Sequence, residues 1–198
     1  MYSKPIQQLI SAFSKLPSVG ERTAERYVFY LLKSGKKDVA DLTLALKNLI
    51  STVKSCEICF DFSDSTPCTI CKNKNRDQST ICVVTEPQDL QVIEKIGTYK
   101  GLYHVLRGTI KTENDSLDYL KIKQLFKRLE TNTVKEVILA FNPDLEGETT
   151  MMYLKIKIRD LYPNIKITKL ARGIPMGGDL KYADEITLGS AFKNRTAS

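Results

Sequence analysis

Four cysteines in two closely spaced pairs, Cys56-Glu-Ile-Cys59 and Cys68-Thr-Ile-Cys71, constrain this chain more than any other stretch. Each CxxC pair can turn back on itself so that both sulfurs face one point. Four soft thiolates match the tetrahedral preference of Zn²⁺. The residues between the pairs, Phe60-Asp-Phe-Ser-Asp-Ser-Thr-Pro67, are too few and too polar to bury a core. A bound ion would supply the folding free energy that apolar area there cannot. Two disulfides, or a redox CxxC on a thioredoxin-like fold, are the competing readings. No secretion signal is expected, and a reducing cytosol disfavours disulfides. The expectation is a closed structural zinc site ligated by Cys56, Cys59, Cys68 and Cys71, with no position left open for catalysis.

Charge points towards an acidic partner. The 198 residues hold 30 Lys/Arg against 23 Asp/Glu, a formal net charge of +7, and such an excess fits nucleic acid. It is concentrated ahead of the cysteines, where residues 1–55 carry nine basic and four acidic side chains. No apolar run approaches the roughly 18–20 residues of a membrane span, so the expectation is a cytoplasmic protein. Asn114-Asp-Ser and Asn194-Arg-Thr match the glycosylation sequon, which has no meaning without secretion.

Ahead of the zinc segment the periodicity is helical. Ile6, Leu9, Ile10, Phe13 and Leu16 share one face of a helix from Lys4 to Leu16. Pro17-Ser-Val-Gly20 breaks it, and a second helix runs from Glu21 towards Gly35. Leu16-Pro-Ser-Val-Gly-Glu-Arg-Thr-Ala24 resembles the helix–hairpin–helix of DNA-binding proteins. Gly20 would permit a tight backbone and close approach to phosphate. The N–H groups opening the second helix favour an anion, with Arg22 and Arg26 one turn apart beside them. Contacts of this kind grip phosphates without reading bases. A plain helical hairpin with solvated arginines is the alternative. A third helix, about Val39 to Val53, carries Leu42, Leu46, Leu49 and Val53 on one face and delivers the chain to Cys56.

After the cysteines the pattern changes. Thr80–Thr85, Leu102–Leu106, Val137–Phe141 and Ile165–Leu170 read as strands, and Asp89–Ile96, Leu117–Leu129 and Glu146–Tyr162 as the helices between them. That alternation predicts a parallel α/β sheet. Cys82 falls inside a core strand and is assigned to packing. His104 lies mid-strand without a clustered partner and is assigned as a satisfied or exposed histidine. The division expected along the chain is residues 1–55, 56–78, 79–172 and 173–198.

Loops at the carboxyl ends of parallel strands are where open α/β sheets place ligands. Glu86 ends the first strand, and Asn142-Pro-Asp-Leu-Glu-Gly-Glu148 follows the third. This resembles the Toprim domain of topoisomerases, primases and related nucleases, in which a Glu and an Asp-x-Asp pair bind Mg²⁺. Here the first Asp position is Asn142, and a neutral amide weakens such a site. Three readings stay open: a weak metal site on Glu86, Asp144, Glu146 and Glu148, an acidic patch for a basic partner, or acidic residues favouring a helix N-terminus. Gly173-Ile-Pro-Met-Gly-Gly178 is followed by Asp179-Leu180 where a P-loop needs Gly-Lys-Ser/Thr, so an ATPase is excluded. The segment from Gly173 to Ser198 is expected to be weakly helical around Thr187–Lys193, either reaching onto a neighbouring subunit or closing its own domain.

Taken in order, the hairpin, the four cysteines, Val83-Val-Thr-Glu-Pro87, Ile138-Leu-Ala-Phe-Asn-Pro143, Glu146-Gly-Glu148 and the tail from Arg172 resemble the RecR family of bacterial recombination mediators over essentially the whole chain. Asn142 is itself expected of that family. The resemblance implies a non-enzymatic DNA-repair factor: a helix–hairpin–helix, a four-cysteine zinc finger, a Toprim-type sheet and a C-terminal extension. It implies a homodimer or ring-like homotetramer that binds single- and double-stranded DNA without sequence preference. Such a protein works with RecO, and in some bacteria RecF, to load RecA onto strands coated by single-strand-binding protein. Arg22 and Arg26 match the hairpin's DNA-facing basic positions, with Gly20 expected beside them at the DNA, and Glu86, Asp144 and Glu146 would dock a partner. One departure is the segment Thr109–Leu120, which reads Lys-Thr-Glu-Asn-Asp-Ser where the family has a glycine-rich loop. The rival functions are a Mg²⁺-dependent Toprim nuclease and a zinc-ribbon protein-interaction module.

Overall fold

The computed structural model describes residues 2–111, 117–131 and 133–195. The chain divides into two compact units, Met1–Val53 and Lys54–Ser198.

In the first unit, α1 (Lys4–Phe13) and α2 (Glu21–Ser34) form the hairpin, followed by α3 (Lys36–Thr52). Ile10, Ala24 and Val28 are buried, with Ile6, Phe13 and Val19 packed against them. Two boundaries differ from the sequence expectation. α1 stops three residues before Leu16, because the N–H groups of Lys15 and Leu16 turn back to Ala12 and Phe13. α3 begins earlier than Val39, because Gly35 at φ +95° ends one helix and opens the next. None of the residues of α3 is buried, so the face carrying Leu42, Leu46 and Leu49 lies exposed.

The second unit opens on a short antiparallel ribbon, β1 (Lys54–Ser55) with β2 (Phe62–Ser63), and a single turn of helix, α4 (Thr69–Lys72). Then come β3 (Asp77–Val84), α5 (Pro87–Ile96), β4 (Gly101–Val105), α6 (Ile122–Leu129), β5 (Glu136–Ala140), α7 (Leu145–Leu161) and β6 (Lys166–Lys169). The four longer strands are all parallel, in the order β4-β3-β5-β6. Both faces are covered, which is why the strands read as unbroken apolar runs. Ile81 and Val83 point to a core shared with Leu125 and Leu129 of α6 and Leu154 and Ile158 of α7. Cys82 and Val84 point the other way, to Leu90 of α5 and to Phe60 and Ile70 of the cysteine segment. Cys82 is therefore a packing residue, its thiol pushed up to about 12 by burial.

The helix expected from Leu117 is shorter than the pattern implied. A 3₁₀ turn occupies Leu117–Tyr119, and α6 starts only at Ile122. The N–H of Lys121 donates to the carbonyl of Leu106 at 2.9 Å, which ties the backbone to the end of β4 and interrupts the helix. The departure at residues 111–116, including Asn114, falls almost wholly outside the described residues. Beyond the sheet, a 3₁₀ turn at Leu180–Tyr182 precedes α8 (Glu185–Lys193), which Asp184 caps by accepting from the N–H of Thr187 at 2.8 Å.

Candidate metal centre and nucleic-acid interface

The cysteine segment places four sulfurs around one point. The sulfurs of Cys56, Cys59, Cys68 and Cys71 all lie within 4.8 Å of one another. Cys59 and Cys68 Sγ are 3.6 Å apart, far longer than an S–S bond of about 2.05 Å. Two thiolates sharing one Zn²⁺ at a Zn–S distance of about 2.3 Å would sit roughly 3.8 Å apart. The disulfide reading therefore fails and the donor set fits zinc.

Local backbone geometry builds this arrangement. The N–H of Phe60 donates to the Cys56 carbonyl at 3.0 Å, and that of Cys56 to the Asp61 carbonyl at 2.8 Å, closing a knuckle around the first pair. Phe60 takes a left-handed φ of +65° to do so, a conformation L side chains rarely adopt. In the second pair Cys68 caps α4, its sulfur accepting from Cys71 N–H at 3.5 Å, while Cys68 N–H points to Cys56 Sγ at 3.3 Å. N–H groups aimed at sulfur favour the thiolate over the thiol. Without an ion the four sulfurs cannot all be charged. Hydrogen bonds from the Cys59 and Cys71 thiols hold Cys68 well below the usual thiol range, and the same bond to Cys68 pushes Cys59 up. A divalent ion removes that conflict by stabilising all four thiolates at once. Three of the four cysteines are buried and Cys71 is half-buried.

This centre is built onto the sheet. The carbonyl of Cys59 accepts from Val105 N–H at 2.8 Å. That of Phe60 accepts from Arg107 Nε at 2.8 Å, and the Arg107 guanidinium lies 3.8 Å from the centre of the Phe62 ring. From α5, Gln91 Nε2 donates to the buried carboxylate of Asp61 at 3.1 Å. Downstream, Arg76 forks onto Glu94 at 2.6 and 2.8 Å and gives Nε to the Gly101 carbonyl at 2.9 Å.

His104 is fully buried on β4, a satisfied histidine. Its Nε2 lies 2.8 Å from the Lys121 carbonyl, which fixes Nε2 as the donor and leaves Nδ1 to accept from Arg128 Nη1 at 3.2 Å. Burial, with the Arg128 charge beside it, pushes His104 down to about 3, so the ring stays neutral.

The acidic residues after β3 and β5 do not converge as a metal site among the described residues, where only the cysteines cluster closely enough. Each of these residues has another task. Glu86 is the N-cap residue of α5, its N–H donating to the Asp89 carboxylate at 2.9 Å and its carbonyl accepting from the N–H of Asp89 at 3.2 Å. Asp144 Oδ1 accepts from Gly147 N–H at 2.7 Å at the start of α7. Glu146 accepts from the Thr109 hydroxyl, and Glu148 pairs with Arg172. Glu86 and Asp144 remain exposed. Gly147 is needed for packing, since a Cβ there would stand 2.1 Å from the Asn142 carbonyl oxygen.

In the hairpin, Arg22 and Arg26 lie on the first two turns of α2, with no ion pair among the described residues. The Gly20 carbonyl takes the N–H groups of Thr23 and Ala24, leaving those of Glu21 and Arg22 at the helix start without a partner among the described residues. Gly20 does not use the backbone freedom expected of it from the sequence. Its φ is −78°, and a Cβ would meet nothing within 4 Å; the left-handed residue of the turn is Ser18, at φ +62°. What Gly20 leaves is open space in front of the helix N-terminus. No pattern in the residues singled out Ser18 or Arg128, because neither role exists until the turn and the sheet have formed.

Four family models match the chain in succession. The RecR helix-hairpin-helix covers residues 6–50, and the RecR four-cysteine zinc finger domain covers residues 53–73. The Toprim domain covers residues 79–171, and the RecR C-terminal region covers residues 173–196. Among the described residues no helix is long and apolar enough to cross a membrane. With a hairpin of DNA-binding type, a zinc-binding four-cysteine segment and a Toprim sheet in the RecR order, the chain belongs to the RecR family, and its role is of the RecR type, in recombinational DNA repair.

Proposed function

We propose that this chain is a non-enzymatic recombination mediator that grips the DNA backbone without sequence preference. It would act with RecO, and in some bacteria RecF, to help load RecA onto strands coated by single-strand-binding protein. The observation that carries the DNA-binding part is the pair Arg22 and Arg26, without an ion-pair partner among the described residues, beside N–H groups at the start of α2 that are likewise unmatched among them. Cations and such N–H groups in front of an open Gly20 suit phosphate oxygens, single- or double-stranded.

The proposed division of labour follows residues 1–55 for DNA, 56–78 for the structural metal, 79–172 for partner docking and 173–198 for assembly. Glu86, Asp144 and Glu146 would present the acidic face for a basic partner protein. The exposed apolar face of α3, and Ile186 and Phe192 of α8, support a homodimer or homotetramer, since faces of this kind call for a partner. A cytoplasmic location suits a DNA-bound protein with reduced, metal-ligating thiols.

The test is light scattering of the protein with and without a short duplex across salt concentrations. An oligomer that holds DNA at low salt and releases it at high salt is the expected result. Replacing Arg22 and Arg26 together by alanine should weaken binding on every sequence and reduce the salt slope by about one for each phosphate no longer neutralised. A monomer indifferent to DNA would overturn the proposal. So would Mg²⁺-dependent cleavage by the purified protein that disappears in Glu86→Gln.

A further inference from the structure

Arg128 is a half-buried cation that meets no carboxylate among the described residues. Among the described residues it makes no ion pair. Its Nη1 instead donates to the Tyr103 carbonyl at 2.7 Å and approaches His104 Nδ1 at 3.2 Å. A half-buried guanidinium whose hydrogen-bond acceptors are all neutral is held more favourably when a negative charge lies near.

The negative charge is the metal centre. Tyr103 and His104 sit on β4, and the next residue, Val105, holds the Cys59 carbonyl. The His104 ring is 5.4 Å from the ring of Phe60, the residue after Cys59. Burial pushes Arg128 down, and the charges that oppose this are foremost the sulfurs of Cys71, Cys59 and Cys56. One Zn²⁺ with four thiolates carries a net charge of −2, in a site whose sulfurs are mostly buried. Arg128 lies on α6, far along the chain from the cysteines, and is linked to their segment through the Tyr103–Val105 stretch of β4.

We propose that Arg128 is the counter-cation of the zinc tetrathiolate, held in place by the Tyr103 carbonyl and the neutral His104 ring. Its charge stabilises the four thiolates together and lowers the tendency of any one sulfur to leave the metal. Arg128 is thus a positioning and charge-balancing residue for the metal and not a ligand. The inference concerns the metal segment alone and does not depend on the DNA-binding proposal.

The experiment compares zinc release from the full-length wild-type chain, Arg128→Gln and Arg128→Lys, using a chromophoric chelator, with alkylation of the released thiols as a second readout. Gln keeps a donor without the charge; Lys keeps the charge without the fork. Outer-shell partners of metal ligands typically contribute about 10–100-fold in affinity, so Arg128→Gln should release zinc at least about tenfold faster. Arg128→Lys should stay close to wild type. Release unchanged in a folded Arg128→Gln protein would overturn the proposal. If Arg128→Gln does not fold, Arg128→Lys decides alone. Wild-type release despite lowered thermal stability supports the charge role, and release rising in step with the fall in stability refutes it.

Discussion

The backbone N–H of Val105 donates to the carbonyl oxygen of Cys59 at 2.8 Å, so a metal ligand is hydrogen-bonded to the edge strand of the parallel sheet. That bond covers part of an edge that would otherwise stand unpaired. It also means that the metal segment and the sheet share their stability.

Removing the metal should therefore reach beyond the cysteines. Chelation, or Cys56→Ser, is expected to lower the stability of the unit containing residues 54–198 by about 3 kcal/mol or more. For a unit of this size that is roughly a 10 °C fall in Tm. Hydrogen exchange at Val105 should quicken in the zinc-free protein. Unchanged protection there would show that the segment folds apart from the sheet.

His104 predicts a pH dependence of known sign. The ring stays neutral in the folded chain down to about pH 3, whereas an unfolded histidine titrates near 6.5. Between those values the unfolded state binds the extra proton, so stability is complete above about 6.5 and is lost as pH falls. Between about pH 7.5 and 5.5 the loss is about 1.4 kcal/mol. Denaturant titrations of His104→Phe should show a shallower pH slope by that amount, and equal slopes would contradict the assignment.

Two glycines should respond in opposite ways. Gly147→Ala forces a methyl against the Asn142 carbonyl and disturbs the Asp144 cap, at a cost of about 2–4 kcal/mol. Gly20→Ala meets no neighbour, and its effect on stability should stay below about 1 kcal/mol, the scale of an N-cap change. If phosphate approaches that open Cα, DNA affinity falls in Gly20→Ala while the melting curve barely moves.

The Arg76–Glu94 fork joins the end of the cysteine segment to α5, and its Arg side chain is only 10 % exposed. Arg76→Met should cost about 1–3 kcal/mol, because it strands Glu94 and leaves the Gly101 carbonyl without its Nε donor. Adding Glu94→Leu should recover part of that loss. A double variant no better than the single one would show that the carboxylate is solvated and the pair contributes little.

Much of this molecule is decided by local pattern. CxxC spacing brings two sulfurs together within one turn, so four ligands could be named without any fold. Unbroken β-branched runs announce strands buried on both faces, and Pro17 and Gly35 bound the second helix, because backbone sterics act over a few residues. What needed the tertiary structure is every relation that spans the chain. The acidic residues Glu86, Asp144, Glu146 and Glu148 look like one cluster in sequence, yet each is committed to a different cap, hydroxyl or arginine once the loops are placed. The break before α6 arises only because Leu106 offers Lys121 a carbonyl. Arg128 and the cysteines are separated by more than fifty residues, and Arg128 meets Tyr103 and His104, next to the strand residue that holds the Cys59 carbonyl, only once the sheet has formed. Hydrogen-bond geometry and charge act through space over a few ångströms, and interactions of that kind leave no period or spacing in the sequence.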